Sequence, residues 1–139
     1  MNSGEVADQD ISSVEQSFAR CCANGEFSDV FYDRLAHQSD EIAPLFVETD
    51  MIAQNELLRE GIQNLIAMAR GCHEAKTRVG EIAQTHSRNL HDIRPELYPF
   101  WVQALIEAIR ECDPECSPDL EASWRLTVEP GIAMIISRY

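Results

Sequence analysis

From Ile11 to Ile135, apolar residues recur at intervals of three and four, and no stretch of useful length alternates apolar with polar. That is the period of helices with one buried stripe, not of strands with one buried face. A chain of 139 residues patterned in this way is long enough for a single helical core with room for a small ligand. The expected fold class is all-α. The longest stripe lies in TDMIAQNELLREGIQNLIAMARG, residues 49–71, where Met51, Leu58, Ile62, Leu65, Ile66 and Ala69 share a face with Gly61 at its edge. Gln54 falls inside that stripe and Asn55 at its other margin. A buried amide costs on the order of 1–3 kcal/mol unless a partner takes its hydrogen bonds.

A second polar intrusion sits in VGEIAQTHSRNLHDI, residues 79–93. Val79, Ile82, Ala83, His86 and Leu90 fall on one side of a helix, with His86 near the middle, whereas His91 points towards water. A lone histidine on an apolar face is most often a core residue with satisfied hydrogen bonds. A neutral imidazole held in an apolar slot is also a good metal ligand. Two helices, one offering a central histidine and the other a central glutamine, would face each other across something polar. A planar cofactor with a metal at its centre fits that description.

The remaining elements follow in order. Ser12-x-x-Glu15 reads as a capping box opening a helix that buries Val14, Phe18, Cys21 and Cys22, and Asn24-Gly25 ends it. A helix from about Ser28 carries Val30, Phe31, Tyr32 and Leu35, and a tight turn from Ser39 brings in Ile42, Leu45 and Phe46. The polar segment CHEAKTR leads into the His86 helix. Pro95 is placed to open the next helix, which buries Leu97, Tyr98, Trp101, Leu105 and Ile109, and DPECSPD reads as a turn. A last helix from Pro118 buries Leu120, Trp124, Val128 and Ile135, and Pro130-Gly131 is expected to interrupt and kink it. Residues 1–10 are expected to form a frayed tail ahead of one domain, 11–139.

The run FYDRLAHQSDEIAPLF followed by TDMIAQNELL resembles the distal half of bacterial single-domain haemoglobins and of the globin domain of flavohaemoglobins. THSRNLH and PELYPF resemble the proximal segment of globins. The similarity spans Ile11 to Tyr139, and its specificity lies in the ordered set Tyr32, Phe46, Gln54, Leu58 and His86. The resemblance implies a globin fold, a three-over-three helical sandwich around haem b. Under it His86 is the iron ligand, with its other ring nitrogen donating to a backbone carbonyl or a hydroxyl. Tyr32 and Gln54 would donate hydrogen bonds to bound O2, Phe46 would stack on the porphyrin, and Leu57 and Leu58 would crowd the gas. Ile82, Leu90 and Ile93 would line the proximal side, and Trp101 either donates from its indole or fills the core. In flavohaemoglobins a tyrosine matching Tyr98 and a glutamate of the last helix strengthen the ligand. The register that aligns Trp124 puts Tyr139 at the glutamate's place, so the acid is missing. A helix broken at Pro130-Gly131 is a further departure from the family.

The resemblance implies reversible binding of O2, with NO and CO as further ligands. The competing readings are an NO dioxygenase and a gas sensor. The enzyme would need a separate reductase, since the chain has no G-x-G-x-x-G fingerprint and no length for a redox domain. A net charge of −13 excludes the clustered cations that nucleic acids and anionic membranes require. No apolar run reaches the length of a membrane span and MNSGEVADQD is no hydrophobic leader, so a cytoplasmic location is expected. Monomer and homodimer both stay open. Five cysteines in such a chain are expected to be reduced, and ECDPEC has no histidine or second cysteine pair beside it to complete a metal site.

Overall fold

The computed structural model describes residues 6–139, and the regular structure in them is helical. Six α-helices run α1 Asp8–Ala23, α2 Phe27–Ala36, α3 Met51–Ala69, α4 His73–His86, α5 Tyr98–Cys112 and α6 Pro118–Ser137, with 3-10 turns at Ala43–Phe46 and Pro95–Leu97. Helices α1, α3 and α4 pack against α6, α3 packs against α4, and α2 pairs with α5. This is the expected three-over-three arrangement. No helix among the described residues is long and apolar enough to cross a membrane.

Local side-chain chemistry explains the starts of α3 and α6. Asp50 caps α3 by accepting from the amides of Ile52 and Ala53 at 3.0 and 3.3 Å. Ser117 caps α6 through Leu120 N–H, with Pro118 in the first turn where its missing donor is no loss. At the first helix the expectation fails. α1 opens at Asp8 without a side-chain cap, and Asp8 and Asp10 place negative charge at its positive end instead. Ser12 and Glu15 are surface partners of Arg70 on α3, at 3.2 and 2.6 Å. Of the expected 1–10 tail, residues 1–5 lie outside the described residues and Asp8–Asp10 are helical.

Two further expectations change. CHEAKTR is the opening of α4 itself, whose first two turns bury only Ala75 and Val79 and expose the other side chains. α6 is continuous through Pro130, with Gly131 buried. A Cβ at Gly131 would stand 2.2 Å from Leu65 Cδ2, so the glycine lets α6 lie directly on α3.

The densest part of the core lies between α1, α2 and α6. Phe18 meets Phe27 and Trp124 edge-on at centroid distances of 6.2 and 6.1 Å, and Trp124 is fully buried. The indole N–H of Trp124 donates to Ser17 at 2.9 Å, and Ser17 donates to Asp113 at 2.6 Å. Arg20 closes on the same carboxylate with two bonds of 2.6 and 3.0 Å. Burial alone would raise the Asp113 pKa, but the bonds from Arg20, Ser17 and the Glu115 amide outweigh it and hold the carboxyl below its ordinary value.

Candidate functional site

The other half of the molecule is hollow. A cavity of about 550 Å³ opens between α2, α3, α4, α5 and α6, within the roughly 300–1,000 Å³ usual for a small-molecule or cofactor site. Tyr32, Phe46, Gln54, Leu57, Leu58, Ile82, His86, Ile93, Tyr98 and Trp101 all line it. The intruding residues of two separate stripes thus meet at one space.

His86 is the last residue of α4 and half-buried. Its Nδ1 lies 2.9 Å from the Ile82 carbonyl, one turn back on its own helix. A carbonyl only accepts, so Nδ1 carries the hydrogen and Nε2 is left with its lone pair. Burial pushes the imidazole pKa down, the Ile82 bond opposes, and His91 adds to the lowering. The ring is therefore a neutral donor beside an apolar cavity.

Across from α4, α2 and α3 supply the polar groups. The Tyr32 hydroxyl donates to the main-chain carbonyl of Gln54 at 3.3 Å, and burial pushes the phenol up to about 12. The phenol's one hydrogen is thus turned to the backbone, and a hydrogen bond from the Gln54 side chain opposes the effect of burial on the phenol. Tyr32 is wedged edge-on between Phe31 and Phe46 at 5.0 and 5.4 Å, and Phe31 meets Trp101 at 5.5 Å. Aromatic packing thus carries the order of the core to the cavity wall.

Several placements differ from expectation. α4 stops at His86 and the chain turns over residues 87–92, so Leu90 leaves the helical stripe, stands 60% exposed and does not line the cavity. The same turn swings His91 to the cavity edge, its ring 6.2 Å from that of His86. Tyr98 lines the cavity but does not bond His86; its hydroxyl is buried without a partner among the described residues, and burial pushes it up to about 12. Tyr139, at the position of the missing glutamate, donates its hydroxyl to Asp92. Arg78, Thr85, Ile132 and Ile135 also line the cavity and were not singled out from sequence. Ile135 was legible as core, but Arg78 and Thr85 carry no sequence signal, since both read as surface residues of α4.

The donor set suits a metal-centred planar group. One imidazole stands at the cavity with Nδ1 turned to its own helix, the walls are mostly apolar and aromatic, and the Gln54 amide lines it from α3. An unpartnered buried hydroxyl at Tyr98 adds polar capacity that the protein alone does not use. Among the described residues no group of three or more histidine, cysteine or acidic side chains could hold a bare metal ion, so a metal here needs ligands from a prosthetic group.

No protein-family model matches the sequence, and no curated protein matches it. Among solved structures the chain is similar to a Pseudomonas aeruginosa protein whose crystal structure is described as structurally highly homologous to a human haemoglobin. The two are 42% identical, with 94% of this chain and 98% of that chain covered and a TM-score of 0.89.

Proposed function

The chain belongs to the globin family, and from that premise we propose that it holds haem b in the cavity at His86 and binds O2 reversibly there. NO and CO are further ligands on the same reading. Haem held there by His86 would supply a ferrous iron able to bind a diatomic gas. The observation that carries the reading is the placement of His86: its ring lines the cavity, Nδ1 lies 2.9 Å from the Ile82 carbonyl, and burial pushes its pKa down. Phe46, Leu58, Ile82, Ile93 and Trp101 exclude water from the porphyrin site, and Leu57 covers its rim. Gln54 brings an amide donor for the gas, and Tyr32 stands beside it as a second.

Binding is favoured over NO dioxygenation by the partner of Nδ1. A main-chain carbonyl leaves the imidazole an ordinary ligand, and no carboxylate bonds it among the described residues. Nothing there increases its electron donation as the tyrosine–glutamate pair of flavohaemoglobins does. An enzyme would also require a separate reductase.

Optical spectra of the ferric, ferrous and CO-bound forms test the reading. The haem-loaded wild type is expected to give a five-coordinate ferrous spectrum and a sharp CO Soret band. His86→Gly is expected to lose the five-coordinate form and to recover it on addition of imidazole. A normal ferrous spectrum in His86→Gly without imidazole, or no Soret band in the wild type supplied with haem, sinks the proposal.

A further inference from the structure

α4 ends at the residue proposed to hold the iron, and its own sequence caps only part of that end. Ser87 bonds the Gln84 carbonyl with both its amide and its hydroxyl, the latter at 2.7 Å. The last two carbonyls of the helix, those of Thr85 and His86, are satisfied by the turn that follows. His91 N–H donates to Thr85 at 3.0 Å, and Ile93 N–H donates to His86 at 3.0 Å. Those two bonds depend on a reversal of the chain that places Asp92 at φ +51°, a left-handed conformation that side-chain-bearing residues rarely adopt.

What holds Asp92 there comes from the residue that follows the end of α6 and its Arg138 cap. The Tyr139 hydroxyl donates to the Asp92 carboxylate. The Arg88 guanidinium lies over the Tyr139 ring, 4.8 Å from its centroid, and Arg88 N–H approaches the Tyr139 carbonyl at 3.4 Å. One residue thus touches both sides of the 87–92 turn. One residue earlier, Arg138 rests against Gly80, where a Cβ would meet its guanidinium at 2.8 Å. The end of α6 grips α4 along its second half.

We propose that Tyr139 is a positioning residue for the His86 imidazole, acting through Asp92 and the turn that caps α4. The inference rests on the reading of His86 as the iron ligand. The phenol fixes Asp92, Asp92 fixes the reversal, and the reversal presents the two amides that close the last turn of α4. That turn contains the His86 ring and is continuous with the Ile82 carbonyl that orients it. Loosening the latch lets the helix end fray and the imidazole tilt, without removing any atom that touches the cavity.

The test compares full-length wild type, Tyr139→Phe and Asp92→Asn. Phenylalanine keeps the ring under Arg88 and removes only the hydroxyl, while asparagine retains an oxygen that accepts from the phenol. In Tyr139→Phe the His91 and Ile93 amides are expected to exchange with solvent roughly fivefold faster, with α1 and α5 unchanged. In the ferrous haem-loaded protein the iron–histidine stretching band is expected to shift or broaden, and Asp92→Asn to resemble wild type in both measurements. Unchanged exchange at His91 and Ile93 overturns the latch, whereas faster exchange with an unmoved band marks a merely structural contact and overturns the positioning of His86. A wild type with no iron–histidine band overturns the haem reading beneath it, whereas a wild-type band unaltered in Tyr139→Phe overturns the positioning role alone.

Discussion

Tyr32 and Gln54 are adjacent in space, yet they are not equivalent as donors. The phenol has one hydrogen and the structure spends it on the Gln54 carbonyl; the amide has two, and its bond to the phenol takes at most one of them. A hydrogen bond to a ligand that carries partial negative charge is worth about 1.5–3 kcal/mol. Gln54→Leu is therefore expected to speed O2 dissociation roughly ten- to hundredfold. Tyr32→Phe forfeits mainly its bond to the backbone, so the off-rate should rise less than about threefold, with up to about 1 kcal/mol lost from stability. Flash photolysis and stopped-flow displacement measure both. Equal acceleration in the two variants would mean that the phenol turns to the ligand and that the geometry of the ligand-free chain misleads. Both residues were legible in sequence for one reason, as was His86: each is a polar side chain in or beside an apolar helical stripe. Asp113 was not, although it is the most heavily bonded carboxylate in the core. It lies in a turn-forming run, where an aspartate signals a bend, and its partners Ser17 and Arg20 are remote in sequence.

Whole helices were more legible than their ends, because periodicity accumulates over many residues and a boundary rests on one or two. The stripe through Val79, Ile82, Ala83 and His86 was real. Its continuation to Leu90 was accidental, since a three-residue spacing also arises by chance across a turn. The Ser12–Glu15 pair has the spacing of a cap and serves α3 instead, a tertiary use that no local rule reveals. At Pro130-Gly131 the rule for proline gave a break, yet the helix runs on because Gly131 makes the closest approach to α3. That contact has a measurable energy. Alanine in place of a helical glycine gains about 1 kcal/mol of intrinsic propensity, whereas forcing a methyl into a packed contact costs typically 1–3 kcal/mol. Leu65 is itself only 4% exposed and has little room to yield, so the packing cost should win. Gly131→Ala is expected to destabilise by up to about 2 kcal/mol by urea titration. In a Leu65→Ala background the same change should become neutral or stabilising, a coupling of at least about 1 kcal/mol. Additive single and double variants would mean that α6 does not rest on α3 through Gly131.

The molecule as a whole is built unevenly. Between α1, α2 and α6 the core is closed by Phe18, Phe27 and Trp124, whereas the side of α3 and α4 surrounds about 550 Å³ of cavity. Side chains lining a void lose dispersion contacts they would otherwise make, and α3 and α4 meet across this one. Filling it should therefore act on global stability more than on any single helix. A ligand that binds only the folded chain adds about 4 kcal/mol when its free concentration is a thousand times its dissociation constant. For a chain of this length each kcal/mol moves the melting midpoint by roughly 3–5 °C. Removing haem from the loaded protein is thus expected to lower Tm by roughly 12–20 °C in circular-dichroism melts. His86→Gly should retain only part of that gap, since the apolar walls still take up the porphyrin but the iron loses its anchor. A Tm that changes by no more than about 2 °C on removal of haem would mean that the cavity does not bind it. A full gap retained in His86→Gly would locate the binding energy in the apolar walls alone.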